Sequence, residues 1–414
     1  MTSIYLHIKQ LLGTHTHHAP LRGHALGHLP AIEDAFLLIE DGQIAAFGKM
    51  DELELLVPQL PRVQIDVTGQ YVWPAWCDSH THLVFARSRE DEFVDKLKGK
   101  SYAEIAANGG GILNSAHVLA ATGEDELYRL AMQRLNEAAS MGTGAIEIKS
   151  GYGLSADAEL KMLRVIKKLK QQSSVSIKAS FLGAHAFPAA YKENHAGYVE
   201  EIIDKMLPVI AAEKLADYID VFCETGFFSP EEMEQICKAG AAYGLKPRLH
   251  VNQLNSIGGL QKAIALNALS VDHLETMTAR DISDLAASDT IGTLLPTAAF
   301  FLRMPYQPAR QLIEAGAAIA LASDFNPGSS PSFNMNFVVA LSCIQMKMLP
   351  PEAINAATFN GACAMELQQE LGSIAVGKRA NFIISKPIPS LAYLPYAFGS
   401  NLIDKVIIGG QVHP

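Results

Sequence analysis

The stretch that decides the fold is Tyr71-Val72-Trp73-Pro74-Ala75-Trp76-Cys77-Asp78-Ser79-His80-Thr81-His82. It begins as an apolar run and ends in a His-x-His pair, which indicates a buried strand that leads into a polar loop. Because side chains two residues apart on a strand point to the same side, His80 and His82 project together, with their Cα atoms roughly 7 Å apart. Two imidazoles that converge in this way are typical ligands of a cation such as zinc.

Length and composition predict a large protein core. The chain has 414 residues, of which 49% are hydrophobic, and this is enough for one large domain with a smaller one beside it. The formal net charge of −10, without a long run of like charges, argues against nucleic acid and anionic membranes as partners. A small anionic substrate remains compatible with this charge, since one local arginine can bind it.

The cysteines and the N-terminus predict a cytoplasmic protein. An odd number of scattered cysteines favours free thiols in a reducing compartment over a disulfide framework. The five cysteines are Cys77, Cys223, Cys237, Cys343 and Cys363. The N-terminal residues lack the basic and apolar regions of a secretory signal, and no apolar run reaches the about 18 residues of a membrane span.

After His82, short apolar runs alternate with segments of helical period. With the run before His80, the predicted strands number eight, the other seven being 144–149, 176–182, 218–223, 248–251, 270–273, 290–295 and 318–322. Helical segments such as 124–141 and 157–172 separate them. This alternation predicts an α/β fold, a (β/α)8 TIM-type barrel.

Both ends of the chain carry β-hairpin patterns. Residues 35–48 are two apolar runs around an Asp-Gly turn, and residues 372–385 and 405–412 form a turn-rich pair of strand patterns. We therefore expect a small β-sandwich domain built from both termini, 1–70 and 372–414, beside a barrel domain of residues 71–371.

Most of the predicted barrel strands end in polar residues that can do chemistry. These are His80 and His82, Glu147 and the loop up to Gly153, His185, Glu224, His250, His273 and Asp324. Active sites of barrel enzymes lie at the carboxyl ends of the strands, so we expect these side chains to meet. A separate histidine-rich segment is predicted to be a solvated loop without a defined site. Its histidines are His15, His17, His18, His24 and His28.

The pattern Pro-x-x-x-Asp-x-His-x-His, followed by a His on strand 5, a His on strand 6 and an Asp on strand 8, resembles the amidohydrolase superfamily. Longer blocks are similar to one of its families, the imidazolonepropionases. They are 82–85, 87–93, 101–106, 109–112, 147–154, 181–185 and 323–329. The resemblance implies opening of the 4-imidazolone-5-propanoate ring to N-formimidoyl-L-glutamate, by attack of a metal-bound hydroxide, in histidine degradation. It also implies a homodimer.

The resemblance further implies which residues form the site. One metal ion per chain, divalent or trivalent, zinc or iron, would be held by His80, His82, His250 and Asp324. Substrate contacts would come from Arg89, Tyr102, Tyr152, His185, Gln253, Asn326, Gly328 and Ser329. The residues support the same chemistry: Asp324 can take the proton of water, His273 can face the developing oxyanion, and Arg89 offers a two-pronged donor to a carboxylate.

Plainer interpretations remain open at this point. Arg89 lies in a charged run typical of a solvated surface, Tyr152 in a glycine-flanked turn, and His185 before a proline-containing segment that favours a helix end. The run 326–328 also has the composition of a simple turn, and Lys149 could be the carbamylated lysine of two-metal relatives.

Two departures from the superfamily pattern matter for function. Ala75 stands where glycine is usual, and Asn252 and Gln253 follow His250 where deaminase relatives have an acidic residue. The rival hypotheses are a deaminase of cyclic amidines, a hydantoin-type ring hydrolase, and a metal-bearing binding protein that does not turn its ligand over.

Overall fold

A computed structural model describes residues 2–100 and 110–414, and its centre is a barrel of eight parallel strands. The barrel strands run in sequence order around the barrel, each hydrogen-bonded to the next. They are β6 (Trp76–Thr81), β7 (Thr143–Lys149), β8 (Ser176–Ala184), β9 (Tyr218–Cys223), β10 (Lys246–Val251), β11 (Ser270–His273), β12 (Ile291–Leu294) and β13 (Ile319–Leu321). The predicted (β/α)8 barrel is confirmed.

The first and last barrel strands meet just beyond their carboxyl ends. The backbone nitrogen of His82 donates to the oxygen of Phe325 at 2.8 Å, and that of Asp324 donates to the oxygen of His80 at 3.0 Å. Asp78 adds a buried link, because its carboxylate accepts hydrogen bonds from the backbone nitrogen and hydroxyl of Ser323 at 2.9 and 2.6 Å. These bonds close the barrel and bring the two segments that carry His80, His82 and Asp324 together.

Amphipathic helices cover the outside of the barrel, and several begin at side-chain caps. Ser229 with Glu232, and Thr278 with Asp281, form capping boxes that bond the first free backbone N–H groups of their helices. The α-helices of the described residues are Leu53–Leu56, Glu90–Leu97, Ile112–Ala121, Glu124–Ser140, Ala156–Gln172, His195–Glu201, Leu207–Glu213, Pro230–Ala242, Gly259–Ala265, Ala279–Ala286, Pro296–Leu302, Ala309–Ala315, Met335–Met346, Pro350–Ala357, Phe359–Ala364 and Tyr393–Tyr396. The predicted helices 124–141 and 157–172 are among them.

A second, mixed sheet is built from both ends of the chain, as predicted. Its strands form one hydrogen-bonded sheet in the order β16-β15-β14-β5-β1-β2-β3, with β4 paired to β1. They are β1 (Thr2–Leu12), β2 (Ala31–Glu40), β3 (Gln43–Lys49), β4 (Val63–Asp66), β5 (Tyr71–Pro74), β14 (Phe382–Ser385), β15 (Ile403–Ile408) and β16 (Gln411–Val412). The predicted Asp41-Gly42 turn joins β2 to β3, with both residues at positive φ, as a type I′ hairpin requires.

The prediction of one continuous strand from Tyr71 to His82 is wrong. The run is two strands, because β5 pairs with β1 and β14 of the terminal sheet while β6 pairs with β7 of the barrel. The chain passes from one sheet to the other at Ala75, whose backbone nitrogen donates to the oxygen of Asn381 at 3.0 Å. Both strands are fully buried, so the hydropathy pattern carries no sign of the break.

The histidine-rich segment differs from its prediction at one residue. His17, His18, His24 and His28 are exposed, but His15 is buried and its Nε2 lies 2.9 Å from the side-chain oxygen of Asn355. This segment also reaches the barrel, where the backbone nitrogen of Gly23 donates to the oxygen of Ala317. His15 is thus part of the packing between the N-terminal segment and the helix Pro350–Ala357.

The cysteines and the helix lengths can be compared with their predictions. All five cysteines are free thiols. In the part of the chain that the structure describes, every helix is too short or too polar to cross a lipid bilayer.

Candidate active site

The four predicted metal ligands meet at the carboxyl ends of three barrel strands. His80 and His82 come from the end of β6, His250 from β10, and Asp324 from the loop after β13. His82 Nε2 lies 3.4 Å from His250 Nε2, and the Asp324 Oδ1 atom lies 3.5 Å from His80 Nε2 and 3.6 Å from His82 Nε2. The imidazole nitrogens of His80, His82 and His250 are within 4.8 Å of one another, and so are the donor atoms of His80, His273 and Asp324.

The donor atoms fit a metal ion. His80 Nε2 and Asp324 Oδ1 are buried and have no hydrogen-bond partner among the described residues, a costly state unless a cation lies between them. Burial first, and then the neighbouring positive charges, hold the pKa values of His80, His82 and His250 well below the usual range. These imidazoles are therefore neutral, which is the form that binds a metal.

A carboxylate lies behind three of the four histidines. His80 Nδ1 lies 2.7 Å from Asp272 Oδ2, His250 Nδ1 lies 3.0 Å from Asp220 Oδ1, and His273 Nδ1 lies 3.2 Å from Glu275 Oε1. Such partners fix the ring orientation and direct the other ring nitrogen toward the centre of the site.

Lys149 is a structural cation beneath the metal ligands. Its Nζ lies 2.9 Å from Glu147 and 2.8 Å from Asp220, and all three side chains are inaccessible to solvent. Burial disfavours the charged amine, but Asp220 and Glu147 outweigh this and raise the pKa of Lys149. A carbamylated lysine forms from the neutral amine, so these contacts argue against that interpretation of Lys149.

Asp324 and His273 have unusual backbones and unusual acidities. Their φ angles are 51° and 90°, in the left-handed region that non-glycine residues adopt only under constraint. Burial raises the pKa of Asp324 to about 7. Burial would lower the pKa of His273, but the Glu275 carboxylate beside it raises that pKa overall. The raised pKa of Asp324 makes its carboxylate more basic, and the raised pKa of His273 favours the protonated ring, which donates hydrogen bonds.

These groups line one cavity with nearly all of the predicted substrate residues. The cavity has a volume of about 200 Å³, which suits a small heterocycle with a short side chain. Its lining includes Arg89, Tyr152, His185, Gln253, Asn326, Gly328 and Ser329 beside three of the predicted metal ligands, His82, His250 and Asp324. Tyr102 lies outside the described residues, so its predicted role stays a prediction.

Tyr152 and His185 form one wall of the cavity. The His185 ring stacks on His82 with centroids 5.3 Å apart, and its Nδ1 donates to the carbonyl oxygen of Gly151 at 2.9 Å. Glu159 fixes the loop that carries Tyr152, because its carboxylate accepts hydrogen bonds from the backbone nitrogens of Gly151, Gly153 and Leu154 at 2.6 to 3.0 Å. Neither residue is a plain turn or helix-end residue.

Arg89 lines the same cavity beside the loop that contains Gly328. It directly precedes the helix Glu90–Leu97, its side chain is only 13% exposed, and it forms an ion pair with Glu92. Its guanidinium lies against Gly328, where any Cβ would collide with Nη1. The interpretation of Arg89 as a solvated surface residue is therefore wrong.

Asn326 shapes the loop that contains Gly328 and Ser329. Its side-chain oxygen accepts hydrogen bonds from both backbone nitrogens, at 2.8 and 2.7 Å, and its side-chain nitrogen donates to the oxygen of Asp324 at 2.7 Å. The turn interpretation thus describes Asn326 correctly, although the turn lies on the cavity wall.

Sequence reasoning missed Asp220, Asp272 and Glu275 as supports, and Lys96 and Phe222 as cavity residues. Asp220 and Asp272 did leave a signal, since an isolated carboxylate inside an apolar strand is rarely buried without a partner. No signal in the sequence indicated Lys96, because a lysine near the end of a charged helix is typical of a surface position. Glu224, predicted at a strand end, instead binds the backbone nitrogens of Leu254 and Asn255.

Comparisons with solved structures support the fold. Guanine deaminase from E. coli superposes with a TM-score of 0.73 at 14% identity, over 100% of this chain and 99% of that chain. An adenosine deaminase from Xanthomonas campestris with bound zinc gives a TM-score of 0.69 at 16% identity, over 99% and 92%.

Sequence comparisons identify the family. The model of the amidohydrolase family matches residues 71–413. An imidazolonepropionase from Flavobacterium johnsoniae is 57% identical over 414 residues, which is all of both chains. One from Thermoanaerobacter pseudethanolicus is 40% identical over 388 residues, 94% of this chain and 92% of that protein. The chain is a hydrolase of the amidohydrolase family and belongs, within it, to the imidazolonepropionases.

Proposed function

We propose that the chain opens the ring of 4-imidazolone-5-propanoate to give N-formimidoyl-L-glutamate, a step of histidine degradation. The observation that carries this proposal is the lining of the cavity, which combines neutral metal-type donors with a buried arginine. A substrate for this cavity needs both a hydrolysable ring and an anionic group.

A single metal ion, zinc or iron, would be held by His80, His82, His250 and Asp324. When bound, such an ion lowers the pKa of a water ligand and polarises the carbonyl under attack. Imidazole and carboxylate donors suit both metals. His273 stays outside this set in our proposal, because the Glu275 carboxylate raises its pKa and so favours a ring that donates a hydrogen bond.

Asp324 would transfer the proton, and His273 would stabilise the negative charge that develops on the carbonyl oxygen. Water adds to the ring carbonyl carbon while Asp324 accepts the water's proton. His273 donates a hydrogen bond to the carbonyl oxygen as negative charge develops there. The ring C–N bond then breaks, the proton passes from Asp324 to the leaving nitrogen, and the carbonyl becomes the α-carboxylate of the product.

The remaining residues would bind the substrate. Arg89 offers a two-pronged donor to the propanoate carboxylate. Tyr152 and His185 would lie against the substrate ring. Gln253 has an amide that both donates and accepts hydrogen bonds, so it matches a ring that carries both donor and acceptor groups. The backbone around Gly328 and Ser329 would complete the carboxylate end.

The deaminase alternative has less support. Deaminase relatives use an acidic residue after strand 5, where this chain has Asn252 and Gln253. Among the described residues that line the cavity, Asp324 is the only carboxylate deep enough to face the ring, with Gln253 at the place of the missing acid. The convergence of His80, His82, His250, His273 and Asp324 argues against a metal-bearing binding protein without turnover.

Two further properties are proposed, the dimer from the family resemblance and the compartment from the scattered free cysteines. We propose that the chain forms a homodimer and works in the cytoplasm. Light scattering coupled to size-exclusion chromatography measures the first, and a monomer mass would contradict it.

The proposed reaction is tested by mixing purified protein with 4-imidazolone-5-propanoate and following the ring absorbance. We expect the absorbance to fall with formation of N-formimidoylglutamate and without release of ammonia. Ammonia release would favour the deaminase, and binding without a change in absorbance would favour the binding protein.

A further inference from the structure

Lys96 is a second cation in the cavity that Arg89 lines. It lies in the last turn of the helix Glu90–Leu97, and Arg89 is the residue before that helix, so the two are seven positions apart. Residues seven apart lie on one face of an α-helix, two turns from each other. The helix therefore presents both cations to the same side.

Both cations reach Gly328. Lys96 Nζ lies 3.4 Å from the carbonyl oxygen of Gly328, and the Arg89 guanidinium occupies the space where a Cβ of residue 328 would be. The long side chains thus converge although their backbones are about 10 Å apart along the helix axis. Asp324 begins the same loop, so the metal end and the cationic end of the cavity are joined by a few residues.

Lys96 is not ion-paired among the described residues, whereas Arg89 is. Glu92 is ion-paired with Arg89, and its Oε1 accepts a hydrogen bond from the backbone nitrogen of Gly111 at 2.9 Å. None of the ion pairs in residues 2–100 and 110–414 includes Lys96. Among the described residues, Lys96 is therefore an excess positive charge, and it matches one carboxylate of a ligand.

The half-buried position makes this excess unfavourable without an anion. Burial, and then the charge of Arg89, lower the pKa of Lys96 below its usual value. A ligand carboxylate at Gly328 would offset both effects. The 3.4 Å bond to a carbonyl oxygen is too long to do so alone.

We propose that Lys96 and Arg89 together bind the carboxylate of the substrate's side chain, and that Lys96 selects for that charge. The inference rests on the proposed function for the identity of the ligand. Arg89 would supply the planar fork, and Lys96 a point charge on the Gly328 side. The pair would then fix how far the carboxylate lies from the ring, and so which side-chain length is accepted.

Binding of two non-reacting ligands to the metal-loaded protein tests this role. The ligands are imidazole-4-propanoate and its uncharged propanamide, compared by isothermal titration calorimetry. We expect Lys96→Met to weaken binding of the propanoate about 10- to 100-fold and that of the propanamide less than about twofold. Lys96→Arg should restore most of the affinity, and Lys98→Met, an exposed lysine on the same segment, should change neither.

Equal losses for both ligands would show that Lys96 only ties the helix to the loop, and unchanged binding of the propanoate would also overturn the proposal. Thermal unfolding of each variant shows whether a loss of binding comes from misfolding. If Lys96→Met is misfolded, the affinity of Lys96→Arg for the propanoate, compared with that of the unmodified protein, decides. Turnover of imidazolonepropanoate by the unmodified protein is a separate readout. Charge-selective binding through Lys96 without turnover would support this inference and contradict the proposed reaction.

Discussion

The metal end and the substrate end of the cavity are held in place by different means. At the metal end, His80 and His250 are buried at 0 to 2% exposure, and each is oriented by a carboxylate from another strand of the barrel. At the substrate end, Arg89 lies before a short helix and Gly328 lies on a loop. The hydrogen-bond register of the barrel thus positions the chemistry, while individual side chain-to-loop contacts position the substrate.

This difference predicts different consequences of mutation. Changes at the metal end should reduce metal content and kcat, since the ligands act as a unit. Changes at the substrate end should raise KM and leave the metal bound. The five variants below test that division, in order of expected effect.

Asp324→Asn should have the largest effect. The amide cannot accept a proton and binds metal poorly, so we expect kcat to fall about 100- to 10,000-fold. Metal content is measured on the same sample by elemental analysis. Full activity in the variant would exclude Asp324 as the base, whatever the metal content.

Arg89→Met should raise KM and preserve the metal. Loss of a buried charge pair with the substrate costs roughly 2–5 kcal/mol in kcat/KM. Arg87→Met is the matched control, because Arg87 is two residues away and its side chain is 66% exposed. If KM stays constant and only thermal stability falls, Arg89 is structural.

Asp272→Asn should lower the metal affinity, although Asp272 is not itself a predicted metal ligand. Removal of a carboxylate that orients a histidine ligand typically lowers metal affinity about 10- to 100-fold, and His80 would lose its partner at 2.7 Å. Competition with a chelator measures the affinity, and Asp289→Asn, an exposed aspartate, serves as the control. An unchanged metal affinity would mean that the barrel holds His80 without Asp272.

Gly328→Ala should act on the substrate end through Arg89. The added Cβ collides with the guanidinium, and overpacking of this kind costs about 1–3 kcal/mol, here expected as a higher KM. Gly123→Ala is the control, since a Cβ there meets nothing within 4 Å. Equal KM values in the two variants would show that Arg89 can move away freely.

Gln253→Glu should change turnover least. If Asp324 already serves as the base, a second carboxylate in the cavity adds no needed function, and we expect no gain in kcat. A several-fold rise in kcat, with a new acidic limb in the pH profile, would show that Asp324 is not an adequate base.

The division between the two ends also explains what could be predicted from the sequence. Strand-end positions such as His250 and His273 follow from the alternation of apolar strands and helices, so the barrel and the meeting of these side chains were predictable. The choice of metal ligands among them rested on the family resemblance and stays a prediction. The break at Ala75 was not, because both strands around it are buried and apolar. Lys96 and the ring partner Asp272 were missed because their roles depend on contacts across 232 and 192 residues of sequence.

Titration of metal-free protein with zinc or iron, with 4-imidazolone-5-propanoate as substrate, tests the central claim most directly. Activity should rise in proportion to metal and reach its plateau at one equivalent per chain, with N-formimidoylglutamate as the product. A plateau at two equivalents, or full turnover by the metal-free protein, would contradict a single-metal site formed by His80, His82, His250 and Asp324.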